Sequence, residues 1–141
     1  MNASTSAELS NELITQLVDM AKKAREYAYA PYSNNLVGAA LLTADGHIFT
    51  GCNVENSNFS ATICAERTAL VKAVSEGHRK FRAIAIIADR PVPTSPCGQC
   101  RQALSQFGME VDVIMANLRS NQIDVMNLSE LLPRVFIVGS S

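Results

Sequence analysis

Several large classes of protein are excluded by what this sequence lacks. The 141-residue chain has a formal net charge of −1 and no run of lysine and arginine, so the basic surface of a nucleic-acid-binding protein is missing. No apolar run is long enough to span a membrane, and the N-terminus, MNASTSAELSNEL, lacks the pattern of a signal peptide. Four cysteines are too few for a disulfide scaffold. We therefore expect a cytoplasmic protein with a small-molecule partner and no nucleic acid or membrane partner.

The composition that is present is typical of one globular domain. Hydrophobic residues make up 48% of the chain and charged residues 18%, well away from the disordered range. A chain of this length is about one ordinary domain, and it can bury roughly two thirds of its unfolded surface. The sequence shows no internal repeat, low-complexity segment or second domain. Residues 1–141 are therefore predicted to form a single domain.

Helical and extended patterns alternate along the chain. Apolar residues at steps of three and four predict a first helix over residues 7–28, begun by Ser4 or Ser6 and stopped by Pro31. The apolar run FRAIAIIA predicts a central strand that is covered on both faces. The other predicted strands are 36–43, 47–54, 111–116 and 123–126, and the other predicted helices are 64–77, 97–107 and about 127–133. This order predicts an α/β fold, a three-layer α/β/α sandwich with a mixed five-stranded sheet.

The stretch SPCGQC places Cys97 and Cys100 three residues apart, a spacing that fits a disulfide, a redox couple or half of a metal site. Reducing cytosol disfavours the disulfide. Cys64 begins another predicted helix, and helices that follow strands begin at one edge of a sheet, so three thiols can converge there. Helix N-termini favour thiolates, and three cysteines leave a tetrahedral zinc with the open position that catalytic sites keep for water.

Glu66 and Arg67, which follow Cys64 and Ala65, have two interpretations each. Glu66 could carry protons beside the zinc, or it could merely complement the helix macrodipole. Arg67 could be a surface arginine, or it could donate hydrogen bonds to the thiolates and offset their negative charge. The neighbouring thiols favour the catalytic interpretation of Glu66.

These elements carry a family resemblance. CAE at 64–66 followed by PCGQC at 96–100 matches the three-cysteine signature of zinc-dependent base deaminases. The ordered segments APYS, VGAALLT, GCNVEN, ICAERTAL, KAVSEG, SPCGQCRQ and SELLP resemble the small, homotetrameric cytidine deaminases over about residues 13–136. The resemblance implies a cytidine deaminase-like fold with one Zn²⁺ per subunit. It also implies hydrolytic deamination of cytidine and 2′-deoxycytidine to uridine and 2′-deoxyuridine plus ammonia, a step of pyrimidine salvage.

The resemblance assigns the zinc chemistry to five positions. Cys64, Cys97 and Cys100 would ligate the metal. Glu66 would move protons from the attacking water to N3 and to the leaving amine. Arg67 would hydrogen-bond the ligand thiolates.

The resemblance also assigns the substrate contacts. Asn53 and Glu55 would bind sugar hydroxyls, a role that suits an amide and a carboxylate on one side of an extended segment. The backbone at Ala65 would receive the base edge. Phe136 would reach the site of a neighbouring subunit; the alternative is that it docks the C-terminal tail onto its own core.

The main departure from the family pattern is Asn35, because members usually carry a phenylalanine there that packs on the pyrimidine. Such stacking contributes about 1 to 3 kcal/mol per base. Its loss predicts weaker cytidine binding or a larger pocket. An alternative substrate is therefore an N4-substituted or otherwise modified cytidine, or an aminonucleoside antibiotic such as blasticidin S. A milder departure is Phe59, where a tyrosine is common.

Two further functions belong to other classes. A structural zinc module would supply a fourth protein ligand, and a thiol oxidoreductase would use Cys97 and Cys100 alone. His47 and His78 are predicted to be exposed and are not expected to be ligands. Cys52 is predicted to be a small buried hydrophobe.

Overall fold

The computed structural model describes residues 8–138, and its centre is a five-stranded sheet. The strands are β1 (Val37–Thr43), β2 (Ile48–Cys52), β3 (Phe81–Ala88), β4 (Asp112–Asn117) and β5 (Asp124–Asn127). They lie in the order β2-β1-β3-β4-β5, with β3 and β4 parallel and every other neighbouring pair antiparallel. The predicted mixed five-stranded sheet, with FRAIAIIA as its central strand, is confirmed.

Helices cover both faces of this sheet. They are α1 (Asn11–Arg25), α2 (Ala65–Ser75), α3 (Gly98–Ser105) and α4 (Leu128–Leu131), with a short 3₁₀ turn at Phe59–Ala61. On β1, Ala39 and Leu41 belong to the core beneath α2, whereas Ala40 and Leu42 belong to the core beneath α1. Because successive strand residues point to opposite faces, β1 is buried on both sides, which confirms the three-layer sandwich. Among residues 8–138, no helix is both long and apolar enough to cross a membrane.

The first helix is shorter than predicted. It begins at Asn11, and the Ser10 hydroxyl caps it by accepting a hydrogen bond from the Leu13 N–H at 3.1 Å. The prediction that it begins at Ser4 or Ser6, which lie outside the described residues, is therefore wrong. The helix ends at Arg25 rather than at residue 28, because the following chain turns away and the Tyr29 N–H donates to the Asn53 carbonyl at 2.9 Å.

Two glycines set how closely the helices approach the sheet. A Cβ atom at Gly51 would lie 2.5 Å from both the Ala65 oxygen and the Ala69 nitrogen of α2. A Cβ atom at Gly38 would lie 1.9 Å from a backbone oxygen of α1. Only residues without a side chain fit at these positions. The first turn of α2 is thereby held directly against β2.

Candidate active site

The three cysteines that the sequence places far apart meet at one edge of the sheet. Cys64 is the N-cap of α2, Cys97 is the N-cap of α3, and Cys100 lies in the first turn of α3. The Cys64 and Cys97 sulfurs are 3.8 Å apart, and the Cys97 and Cys100 sulfurs are 3.4 Å apart. All three sulfurs lie within 4.8 Å of one another. The two helices that carry the cysteines thus begin at the same edge of the sheet, as predicted for helices that follow strands.

This arrangement fits a zinc ion. With zinc–sulfur bonds of about 2.3 Å, the sulfurs of a tetrahedral site lie about 3.8 Å apart, close to both distances that the structure shows. Cys100 is buried, whereas Cys97 is exposed, so the cluster opens to solvent on one side. Within residues 8–138, no histidine, carboxylate or fourth cysteine joins this cluster. That composition disfavours a structural zinc module, which needs four protein ligands.

Arg67 extends towards the cysteine cluster. Its Nη2 donates to the Cys64 sulfur at 3.7 Å and to the Thr62 carbonyl at 3.3 Å. Hydrogen bonds to its sulfur, from Cys100 first and then from Arg67, lower the pKa of Cys64 to about 5 despite partial burial. The interaction with Cys64, together with burial, raises the pKa of Cys100. The buried Nε of Arg67 has no hydrogen-bond partner among the described residues, which places a second donor in this anionic environment.

Glu66 lies in the first turn of α2 with only 5% of its surface exposed. Burial, reinforced by the nearby charge of Cys64, raises the pKa of Glu66 to about 7. A carboxyl group with this pKa both accepts and releases protons at neutral pH. A residue that only complements the helix macrodipole gains nothing from such burial, because desolvation disfavours its charged form. The geometry therefore favours the proton-carrying interpretation.

A cleft opens beside the cysteines, and most of the predicted site residues line it. The walls include the predicted residues Asn35, Asn53, Glu55, Ala65, Glu66 and two of the cysteines, Cys64 and Cys97. Phe136 is not on these walls, and its side chain is 70% exposed. The Phe136 carbonyl accepts from Gln102 Nε2 at 3.1 Å, so the tail contacts its own α3 although Phe136 is not buried there, and both interpretations of Phe136 stay predictions.

Two of the polar residues in the cleft are held by the turn before β1. The Asn53 amide accepts from the Val37 N–H at 2.9 Å and donates to the Asn35 carbonyl at 2.8 Å. The Glu55 carboxylate accepts from the N–H groups of Tyr32 and Ser33 at 3.0 and 3.1 Å, and from the Ser33 hydroxyl. These bonds, above all the hydroxyl of Ser33, lower the pKa of Glu55, so it is a carboxylate at neutral pH.

The cleft also contains residues that sequence reasoning missed. The Thr94 hydroxyl is buried and has no partner within residues 8–138, and Arg90 lines the same wall. Both lie in residues 89–96 (DRPVPTSP), the connection between β3 and α3, which carries no periodic pattern. Its position directly before Cys97 is the one signal that could have identified it. Three residues of this loop, Arg90, Thr94 and Ser95, line the cleft.

Cys52, His47 and His78 lie outside the cleft, and their burial can be compared with the burial predicted from the sequence. Cys52 is half-buried and stands apart from the cysteine cluster, and burial raises its pKa. His47 is exposed as predicted, with 61% of its side chain accessible. The prediction for His78 is wrong, because only 20% of its side chain is accessible; its ring packs against His47 and Phe49.

Comparison with known proteins gives one consistent family. Residues 11–116 match the family model for the cytidine and deoxycytidylate deaminase zinc-binding region. A cytidine deaminase of Sporosarcina psychrophila is 50% identical over 124 residues, covering 87% of this chain and 90% of the relative. One from Halalkalibacterium halodurans is 48% identical over 121 residues, covering 85% and 91%. The crystal structure of cytidine deaminase from Burkholderia pseudomallei superposes with a TM-score of 0.84 at 44% identity, covering 91% of this chain and 100% of the other. The chain therefore belongs to the cytidine and deoxycytidylate deaminase family, which confirms the family and the enzyme class predicted from the sequence.

Proposed function

We propose that this enzyme deaminates cytidine and 2′-deoxycytidine hydrolytically to uridine and 2′-deoxyuridine, with release of ammonia, in pyrimidine salvage. One observation carries the proposal: three convergent thiols and a buried carboxyl group with a pKa of about 7 lie together at one end of a polar cleft. Relatives named cytidine deaminase at 48 to 50% identity support the choice of substrate.

The thiolates of Cys64, Cys97 and Cys100 would hold one Zn²⁺ per subunit, with Arg67 offsetting part of their charge. When bound, zinc supplies a Lewis acid that makes water a nucleophile at neutral pH. Glu66 takes the proton that the attacking water loses and gives it to N3 of the base. Glu66 then takes the second proton from the oxygen newly bonded to C4 and gives it to the C4 amine, so the C4–N bond breaks, ammonia leaves and the carbonyl of the product forms.

The remaining cleft residues would orient the nucleoside. Glu55 is held as a carboxylate and would accept hydrogen bonds from the sugar hydroxyls. Asn53 is anchored at both ends of its amide, but each end has one further hydrogen-bonding position for the sugar. The backbone at Ala65, at the start of α2, would receive the edge of the base. Rigid anchoring of this kind lowers the entropic cost of orienting a substrate.

A second candidate substrate is an N4-substituted or otherwise modified cytidine, or an aminonucleoside such as blasticidin S. The observation that favours it is the polarity of the cleft wall. The side-chain amide of Asn35 forms no hydrogen bond within residues 8–138, the Thr94 hydroxyl is unpaired, and Arg90 adds a positive charge. Such a wall offers hydrogen bonds to substituents where a phenylalanine would offer only stacking.

We further propose a single-domain subunit that assembles into a cytoplasmic homotetramer. Large apolar side chains remain exposed on the single chain, among them Tyr27 at 83% and Phe59 at 72%. The tail residues Phe136, Ile137 and Val138 are also exposed, and in an assembly they would pack against a neighbouring subunit and bring Phe136 to its cleft. The four unpaired thiols are compatible with a reducing compartment.

An absorbance assay over a panel of substrates tests the proposal. The panel contains cytidine, 2′-deoxycytidine, N4-methylcytidine and blasticidin S, and Glu66→Ala is the inactive control. The highest kcat/KM is expected for cytidine or 2′-deoxycytidine, and a higher value for either modified substrate selects the second candidate. Asn35→Phe is expected to improve cytidine relative to N4-methylcytidine, because it restores the stacking ring. An equal response of both substrates would refute the role given to Asn35.

A further inference from the structure

The only two histidines of the chain meet on the surface, far from the cysteines. His47 lies in the turn between β1 and β2, and His78 follows α2. The Asp45 carboxylate lies with them: its Oδ1 is 3.2 Å from Nδ1 of His47 and 3.6 Å from Nδ1 of His78. One ligand atom from each of these three residues lies within 4.8 Å of the other two. We refer to Asp45, His47 and His78 as the Asp-His-His cluster.

The backbone on both sides of this cluster is fixed. At the end of α2, Gly77 has a positive φ of 97°, and the His78 N–H donates back to the Ala73 carbonyl at 3.0 Å. This is the closing pattern of a helix C-terminus, so His78 has a defined position. In the turn, the His47 N–H donates to the Thr43 hydroxyl at 2.8 Å, and that hydroxyl donates to Asp45 at 2.5 Å.

A further backbone bond joins the two segments directly. The Ala44 N–H donates to the Lys80 carbonyl at 2.9 Å. The His47 and His78 rings are also in contact, with centroids 4.8 Å apart. Backbone hydrogen bonds and ring packing therefore hold the three side chains together.

The spacing suits a transition-metal ion. Bonds of about 2.0 to 2.2 Å from zinc to imidazole nitrogen and carboxylate oxygen place the ligand atoms of a tetrahedral site about 3.4 Å apart. The two distances from Asp45 Oδ1, 3.2 and 3.6 Å, lie on either side of that value, and the ligand nitrogens of the two histidines lie within 4.8 Å of each other. Contrary to the sequence-based expectation that neither histidine is a ligand, we propose that the Asp-His-His cluster is a second metal site, which binds Zn²⁺ or a related divalent transition metal through two imidazoles and one carboxylate.

The local charges decide which ion fits. A hydrogen bond from Thr43, and then one from His47, lower the pKa of Asp45, so it supplies a carboxylate at neutral pH. Arg79 and Lys80 lie beside the cluster and oppose a cation, although the Arg79 guanidinium is directed to the carbonyls of Val74 and His78. Two imidazoles favour zinc, nickel or copper over magnesium or calcium, which prefer oxygen ligands.

The proposed site is separate from the cysteine cluster. Val37, at the start of β1, lines the cleft, whereas Thr43, at its end, contacts Asp45. At roughly 3.3 Å per residue, the length of β1 keeps the Asp-His-His cluster about 20 Å from the cleft beside the cysteines. A metal here would pin the β1–β2 turn to the end of α2, and it would take no part in the deamination.

Zinc titration of the untagged, zinc-loaded enzyme, followed by NMR of the imidazole protons, tests the proposal. Because the chain has only two histidines, both observable ring systems belong to this cluster. Both are expected to shift together and to saturate at one added equivalent, and equilibrium dialysis is expected to find two zinc ions per chain. Unchanged imidazole signals, or a single zinc per chain at saturation, would overturn the proposal.

Variants separate this site from the cysteine site. His47→Gln and His78→Gln are each expected to lose the second zinc while retaining the first zinc and the deaminase turnover. Asp45→Asn is expected to weaken the second zinc, and Asp124→Asn, at the exposed far edge of the sheet, serves as its matched control. Lys80→Gln is expected to tighten it, because a neighbouring positive charge is removed. Retention of two zinc ions by both histidine variants would also overturn the proposal, and thermal melting without added zinc checks that each variant folds.

Discussion

Gly51 connects the packing of the sheet to the geometry of the reacting groups. In Gly51→Ala, the new methyl carbon would lie 2.5 Å from backbone atoms of Ala65 and Ala69. Non-bonded carbon contacts are about 3.5 to 4.0 Å, so α2 must withdraw by about 1 Å. Cys64 and Glu66 flank Ala65 and must move with it. Because a misplacement of about 1 Å can reduce a rate about 100-fold, we expect kcat to fall by roughly that factor.

The fall in kcat should exceed what lost stability explains. Overpacking of this kind destabilises a protein by about 1 to 3 kcal/mol, which leaves a stable domain mostly folded at assay temperature. The assay therefore measures kcat for cytidine at saturating zinc, together with the thermal melting temperature. Gly38→Ala is the control for lost stability, since its Cβ atom meets α1 on the opposite face, at an even shorter 1.9 Å. It is expected to lose stability but to keep its cysteine site and most of its turnover.

Wild-type kcat in Gly51→Ala would refute the reasoning, because it would mean that the site tolerates a displaced α2. A loss of kcat that matches the unfolded fraction would refute it equally.

Two further changes probe the cluster and its support. Cys64→Ala is expected to abolish stoichiometric zinc binding. Metal analysis after dialysis against a weak chelator measures this. Full retention of zinc would exclude the three-thiolate site and would favour a site formed by Cys97 and Cys100. Arg101→Lys removes hydrogen bonds of 2.7 to 2.9 Å to Ser95, Pro96 and the Leu131 carbonyl, which hold the loop before Cys97. At about 1 kcal/mol each, their loss is expected to lower the melting temperature by several degrees. The control is Arg119→Lys, whose exposed ion pair with Asp89 contributes little, and an equal shift in both variants would contradict the anchoring role of Arg101.

The convergence of the cysteines could be predicted from the sequence because it follows from local signals. Apolar runs identified the strands, Cys64 and Cys97 stood at helix starts, and helices that follow strands begin at one sheet edge. The sheet and its layers followed from the same runs. The start of α1 cannot be predicted from the sequence because several serines precede it, and only the structure shows that the Ser10 hydroxyl forms the cap.

The remaining features depend on contacts between distant parts of the chain. Thr94 and Arg90 line the cleft because the loop that carries them is anchored to the sheet, where the Thr94 N–H donates to the Ala116 carbonyl at 2.9 Å, and no periodic pattern marks such a contact. His47 and His78 meet because the β1–β2 turn packs against the end of α2. Burial of Glu66, and hence its raised pKa, likewise depends on how closely α2 lies against β2.

The central claim is that Glu66 carries protons at a zinc site formed by three thiolates. The most direct measurement is cytidine turnover by Glu66→Gln, a variant of the same shape that cannot accept the proton, at one bound zinc in the cysteine site. Proton transfer by a positioned side chain contributes about 10² to 10⁴-fold, so turnover is predicted to fall by at least about 100-fold. Zinc content and melting temperature should stay near their wild-type values. Turnover close to that of the wild type, with zinc fully bound, would contradict the account.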